Sequence, residues 1–339
     1  MTEQGNAKER GIWEYSWAIS TTAFSSLPSW LTTPYNQVMI PVATAFAVVV
    51  SCLSAAGASP PQIAFERGAA IWIANVDGTS ARKIGRGSGP DLSPDGTKIA
   101  FHTDRASQKS LVRQIAMVDV ATKRVTVFRK EIPSENCQHA RWSPDGSKIL
   151  FHIWTESDWH IAMINRDGSG FRYVRKAAPN YNSYWSTCWA GDGKSFYAQD
   201  LTYLYQFDLD GKDLQKWKLD SLFPKGSMNS GSSISMAPGG RKLLLDIDMD
   251  EEEANLPDWE GPPPALWTLD LDTKKATRIT PKGKIAIEGC WLDDSQILFV
   301  AQSAKEKNLT VYQMALGDKG WKSILKDASG PSVSQLSAH

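Results

Sequence analysis

The chain is 339 residues long, longer than a typical single domain, and its 37 Lys and Arg balance 37 Asp and Glu. No Lys/Arg-rich block or basic helix occurs, so the electrostatic footprint that a nucleic acid requires is missing and no such partner is expected. The 14 Trp residues recur beside turn motifs rather than at helical spacing, which points to packing between repeated sheets.

In chain order, the first element is an uncharged run over residues 38–58, followed at once by Ser59, Pro60 and Pro61. It has the character of an export signal. Val49-Val50-Ser51-Cys52 resembles a bacterial lipobox, in which Cys52 would be acylated. Ala56-Gly57-Ala58 instead fits small-x-small signal cleavage, and the run is also long enough to remain as an uncleaved anchor. Residues 1–37 are longer and more mixed in charge than a signal n-region, so a start at Met39 is an alternative, although it would lack a basic n-region. The expected division is an extension with a signal or anchor over 1–58 and a single domain over 59–339.

Internal repeats dominate the rest. Leu92-Ser93-Pro94-Asp95-Gly96 leads into Lys98-Ile99-Ala100-Phe101, and Trp142-Ser143-Pro144-Asp145-Gly146 leads into Lys148-Ile149-Leu150-Phe151. Looser copies centre on Trp189-Ala190-Gly191-Asp192-Gly193, Met236-Ala237-Pro238-Gly239-Gly240 and Trp291-Leu292-Asp293-Asp294-Ser295. The turns recur at intervals of roughly 47 to 55 residues. In each unit a short strand meets a P-D-G turn, whose Pro presets φ and whose Gly accepts a positive φ, and reverses into a second strand. A third strand such as Gln114–Asp119 or Ile161–Asn165, a D-G turn and a fourth strand complete a four-stranded antiparallel blade. The reading is an all-β, six-bladed propeller. Its first blade begins at Ile63 without an inner strand, and Ser332–Ser337 is expected to supply one, removing the open edge.

The W-S-P-D-G-x-K-I-x-F pattern with its following D-G turn resembles the repeats of TolB-like propellers. The resemblance covers nearly everything after residue 60 and implies the fold; the same repeat serves several functions. TolB itself also carries an α/β domain before its propeller, whereas fewer than 60 residues precede the first blade here. A TolA-contacting role is therefore not carried over.

Strand direction sorts the loops. P-D-G and D-G turns share one face, while the connections 102–113, 129–138, 153–159, 175–186, 222–232 and 246–264 share the other. The varied face is the candidate binding face. On it the reading places His102, Arg105, His139, His152, Trp154, Trp159, His160, Tyr184 and Trp185, with Glu156, Asp158 and Tyr181 beside them. The aromatic residues suit a glycan or an extended peptide. His139, His152 and His160 are candidate ligands for Zn²⁺, Mn²⁺ or Fe²⁺, provided the strand register brings them onto one side of the sheet. Asn136–Trp142 faintly resembles a His-bearing strand of oligogalacturonate lyases, which implies a metal-dependent polysaccharide lyase as the alternative function. Cys188 and Cys290, each before a Trp, read as equivalent small buried residues. The acidic run 246–253 lacks the spacing of a Ca²⁺ loop and reads as solvated. No nucleophile elbow or phosphate loop is present. The expectation is a monomeric, non-catalytic, cofactor-free propeller in the periplasm, with any membrane attachment through its N-terminus, that binds a cell-envelope protein or glycan.

Overall fold

The computed structural model describes residues 61–106, 111–155, 158–177, 183–256, 259–302 and 308–334, all within a compact unit spanning Ser59–His339. The N-terminal extension, and with it Cys52, lies outside the described residues, as do Glu156 and Tyr181 and the side chain of Arg105.

Six four-stranded antiparallel sheets form the six blades of a propeller. The inner strands are β4 (Ser88–Leu92), β8 (Cys137–Trp142), β12 (Trp185–Trp189), β16 (Ile234–Met236), β20 (Ala286–Trp291) and β24 (Ser329–Val333). Their hairpin partners are β5 (Lys98–Ala106), β9 (Lys148–Thr155), β13 (Ser195–Gln199), β17 (Lys242–Asp248), β21 (Gln296–Ala301) and β1 (Gln62–Glu66). Blade 1 combines the two ends of the described chain, because β24 pairs with β1. The expected closure is therefore present, but three residues earlier than Ser332. The segment Ser329-Gly330-Pro331-Ser332-Val333 repeats Ser88-Gly89-Pro90-Asp91-Leu92, and it is this motif that sets the register.

The P-D-G turns are built as their chemistry dictates. Asp95 accepts hydrogen bonds from Ser93 Oγ at 2.6 Å and Thr97 N at 3.0 Å, and Gly96 takes a φ of 69°. Asp145 repeats this with Ser143 and Ser147, and Gly146 takes a φ of 67°. Arg166, from the following blade, pairs with Asp95 at 2.9 Å and stacks over Trp142.

Six hydrophobic clusters occupy the seams between neighbouring blades. Along β5, Ile99 and Phe101 face blade 1 while Ala100 faces blade 3, so the period-2 alternation feeds two seams at once. Both faces of each hairpin are thus buried, which is why each second strand carries an uninterrupted run of three apolar or aromatic residues, such as Ile99–Phe101 and Leu243–Leu245. The Trp at the end of an inner strand ties seams together: Trp189 Nε1 donates to the Arg141 carbonyl at 3.0 Å, and Trp291 Nε1 to the Ser235 carbonyl at 3.2 Å.

Two of the expected long loops are protruding hairpins. β5 runs on to Ala106 and pairs with β6 (Leu111–Asp119), and β9 runs to Thr155 against β10 (Asp158–Asn165). Residues 219–222 of the connection after blade 4 form one helical turn, α1 (Leu219–Leu222).

Candidate functional site: the axial pocket

The six inner strands surround a central pocket of about 320 Å³. Its shape follows from a shared irregularity. In β4, β8, β12, β20 and β24 the register slips by one residue, and the extra residue adopts a left-handed φ: Gly89 (63°), His139 (56°), Ser186 (53°), Glu288 (53°) and Gly330 (57°). Such a bulge turns a side chain that a regular strand would bury toward the axis. Glycine accepts this backbone freely, whereas His139 and Glu288 hold it at a cost of about 1–2 kcal/mol each. Blade 5 lacks the bulge, and Ser233 lies directly opposite Asp246, donating to it from its backbone N at 2.9 Å and from its hydroxyl.

A second recurring position lies opposite the residue before each bulge and, in the unbulged blade 5, opposite Ser233. It holds Glu66, His102, His152, Gln199, Asp246 and Val300 in the six blades, one place after the core residues Phe65, Phe101, Phe151, Ala198, Leu245 and Phe299. Two of these residues cap the bulge of the next blade. Glu66 Oε1 accepts the Gly89 N–H at 2.5 Å, and Asp246 accepts the Glu288 N–H. Val300 cannot accept, and the Gly330 N–H donates instead to Glu288 Oε2 at 2.7 Å. Gln199 is fully buried and is held by Ser186 Oγ, the Asn229 carbonyl and the Leu201 N–H.

The histidines belong to this same system, which sequence reasoning did not reveal. His102 and His152 take the capping position of their blades. Among the described residues His102 Nδ1 and both nitrogens of His152 have no hydrogen-bond partner. Burial pushes His102 down to about 4 and His152 to about 3, and it also depresses His139, to which the neighbouring His152 and Arg141 add, so all three are neutral. His139 and His152 meet edge to face, with ring centroids 5.4 Å apart.

His160 does not join them. It pairs with Ile153, which faces blade 2, whereas His152 pairs with Ile161, which faces blade 4, so the two imidazoles project from opposite faces of the hairpin. His160 Nδ1 accepts the Ala177 N–H at 2.9 Å, and its ring packs edge to face on Tyr173. The triad His139, His152 and His160 is therefore not assembled, and among the described residues no group of three or more His, Cys, Asp or Glu could hold a metal ion.

The aromatic candidates divide in the same way. Trp154, Trp159 and Trp185 form a continuous cluster, with centroids 5.4 and 6.1 Å apart, and Trp185 immediately precedes the pocket residue Ser186. Tyr184 instead lies in the seam of blades 3 and 4, where its hydroxyl accepts from Arg175 Nε at 3.0 Å.

Charge in the pocket comes from Glu66, Asp91 and Glu288 on blades 1, 2 and 6 and from Arg141 on blade 3. Burial raises all three carboxyls above their ordinary values, and Arg141 partly offsets this at Asp91 and Glu288. Asp91 is further engaged by Trp142 N at 2.7 Å and Ser332 Oγ at 3.0 Å. Cys188 and Cys290 sit at equivalent places on the wall, their thiols pushed up to about 12 by burial and hence unreactive.

Neither the known protein families nor the curated proteins give a match to the sequence. Among solved structures the chain is similar to TolB from Acinetobacter baumannii, with 16% identity, a TM-score of 0.56 and coverage of 86% of this chain and 71% of that one. It is similar to a TolB described as putative from Agrobacterium tumefaciens, again with 16% identity and a TM-score of 0.56, over 82% of this chain and 98% of that one. A structure titled as a nidogen/laminin complex matches with 9% identity and a TM-score of 0.58, over 81% of this chain and 99% of that one. At these identities the likeness is one of fold, and the described residues form a TolB-like propeller.

Proposed function

We propose that the chain is a non-catalytic binding propeller exposed outside the cytoplasm, which takes a protein or other cell-envelope ligand on its long-loop face and into the axial pocket. The observation that carries this reading is the bulge level of the pocket. Strained, non-glycine backbone persists where the surrounding structure enforces it, and here it aims His139 and Glu288 at a shared cavity. A purely structural bulge would be served by glycine, as at Gly89 and Gly330.

The N-terminal run over 38–58 supports export, with residues 1–58 as a signal or anchoring extension and 59–339 as the propeller. Acylation of Cys52 would hold the propeller at a membrane surface in the periplasm. The Trp154, Trp159 and Trp185 cluster beside the pocket supplies apolar contact area of the kind that anchors protein or glycan ligands.

A photo-crosslinking side chain placed at Trp185 in the living cell, compared with one at Ser147 on the turn face, tests the reading. Adducts to envelope components from position 185 alone are expected. Equal labelling from both positions, or none from either, would overturn it. Fractionation of Cys52→Ser checks the anchor, since loss of acylation is expected to release the protein from membranes.

A further inference from the structure

Deepening the binding reading, we propose that the axial pocket recognises a basic group on a slender stem, a primary ammonium or guanidinium such as the tip of a lysine or arginine side chain. Three carboxylates line the pocket against one guanidinium. Arg141 lowers both Asp91 and Glu288 and offsets one of the three charges, which leaves an excess of carboxylate to which Glu66 and Glu288 contribute. Each of these is anchored by a single backbone N–H, from Gly89 at 2.5 Å and Gly330 at 2.7 Å. Neither forms an ion pair within 4.0 Å among the described residues. Two like charges held in a shared, partly desolvated space destabilise one another, and Glu288 indeed raises Glu66. A cation between them removes that cost.

The second, independent observation is a pair of polar atoms without partners in the same wall. His102, 8% exposed, leaves Nδ1 unpaired, and Thr187, 3% exposed, leaves Oγ1 unpaired; both residues line the pocket. A neutral imidazole nitrogen and a hydroxyl oxygen both accept N–H donors. The carboxylates come from blades 1, 2 and 6, so a ligand with several diverging N–H groups suits them better than a point charge. The geometry also argues against a bare metal ion, since no three ligating side chains gather at one point among the described residues. Leu92, Trp142, Trp189 and Met236 complete the wall with apolar surface for an aliphatic stem.

The test is calorimetric titration of the full-length protein with Nα-acetyl-lysine N-methylamide, its norleucine counterpart and 1,5-diaminopentane. The lysine probe is expected to bind at least tenfold more tightly than norleucine. Glu288→Gln and Glu66→Gln should each weaken it about tenfold, and affinity should fall as pH is lowered through the carboxylate range. Glu288→Asn, which tolerates the left-handed backbone, substitutes if the Gln variant fails to fold. Tighter binding of the blocked lysine than of the diamine identifies a protein side chain as the source, and the reverse identifies a free amine. Equal binding of lysine and norleucine probes, no binding of any probe, or affinity unchanged in both Gln variants overturns the proposal. Crosslinking at position 185 that persists in Glu288→Gln would leave the binding reading standing while this one falls.

Discussion

Asp246 offers a quantitative test of the pocket's electrostatics. Its residue is 3% exposed, and although Ser233 and the Glu288 N–H donate to it, burial dominates and lifts it from 3.8 to about 7. Below the ordinary carboxyl value both folded and unfolded chains hold the proton, and the full stability is present. As pH rises from there to 7 the unfolded chain gives up its proton while the folded chain retains it, so stability falls; above 7 the loss is complete. A shift from 3.8 to about 7 at 1.36 kcal/mol per unit corresponds to about 4 kcal/mol. Asp246→Asn removes the titration while keeping a carbonyl acceptor for Ser233. The measurement is urea denaturation of both proteins from about pH 4 to about pH 8, taking the stability difference at each pH. Glu66, Asp91 and Glu288 tilt both curves alike to first order, so the difference isolates Asp246. The variant should gain about 4 kcal/mol on the wild type across that range. A difference independent of pH, or one that moves in favour of the wild type as pH rises, would refute the assignment of a buried, proton-retaining carboxyl.

Gly211 and Gly317 both take positive φ, 78° and 95°, but an added Cβ would strike the Val174 carbonyl at Gly211 and nothing within 4 Å at Gly317. Gly317→Ala should cost about 1–2 kcal/mol and Gly211→Ala roughly twice that or more in thermal unfolding. Phe151, fully buried in the seam of blades 2 and 3, should cost about 3–5 kcal/mol on replacement by Ala, whereas Arg166→Ala, which removes a partly exposed interblade ion pair with Asp95, a hydrogen bond to Thr97 and the stack on Trp142, should cost about 1–2 kcal/mol by the same denaturation assay. A chain ending at Ala328 leaves β1 without its inner partner, and light scattering should then show association through the open edge in place of a monodisperse propeller.

The blades were legible because their determinants are local. Asp95 and Asp145 organise their turns through neighbours two residues away, and Ile99–Phe101 and Ile149–Phe151 alternate at the period of a strand. The closing strand was legible in kind but not in register, since Ser329–Val333 was recognisable only by comparison with Ser88–Leu92. The site was less legible for a specific reason. A bulge inserts one residue into an inner strand, and every side chain beyond it changes face. Period-2 reasoning brought His139 and His152 near one another, but His160 faces away for a separate reason: the regular β9–β10 register pairs His152 with Ile161 and leaves His160 one place off. Period-2 reasoning also could not identify Glu66 and Glu288 as pocket residues, because neither sits in a motif and each is defined by the neighbouring blade. Tyr184 looked like a rim aromatic and is a seam residue held by Arg175.

The two recurring pocket positions explain how one repeat can specify both a fold and a site. Along each second strand the three residues before the capping position stay apolar or aromatic, since they fill seams. The capping position itself changes from Glu to His, His, Gln, Asp and Val around the ring. The exception at Val300 is informative: the N–H it cannot accept is taken by Glu288, a residue of the bulge level. Glu288 thereby clamps β24 to blade 6, while Asp91 and Ser332 clamp it to blade 2. The acidic side of the pocket thus coincides with the strand that closes the ring. A cation drawn between Glu66 and Glu288 would bridge blades 6 and 1 as well as neutralise the pocket, so ligand binding and the integrity of the closure are expected to be thermodynamically linked.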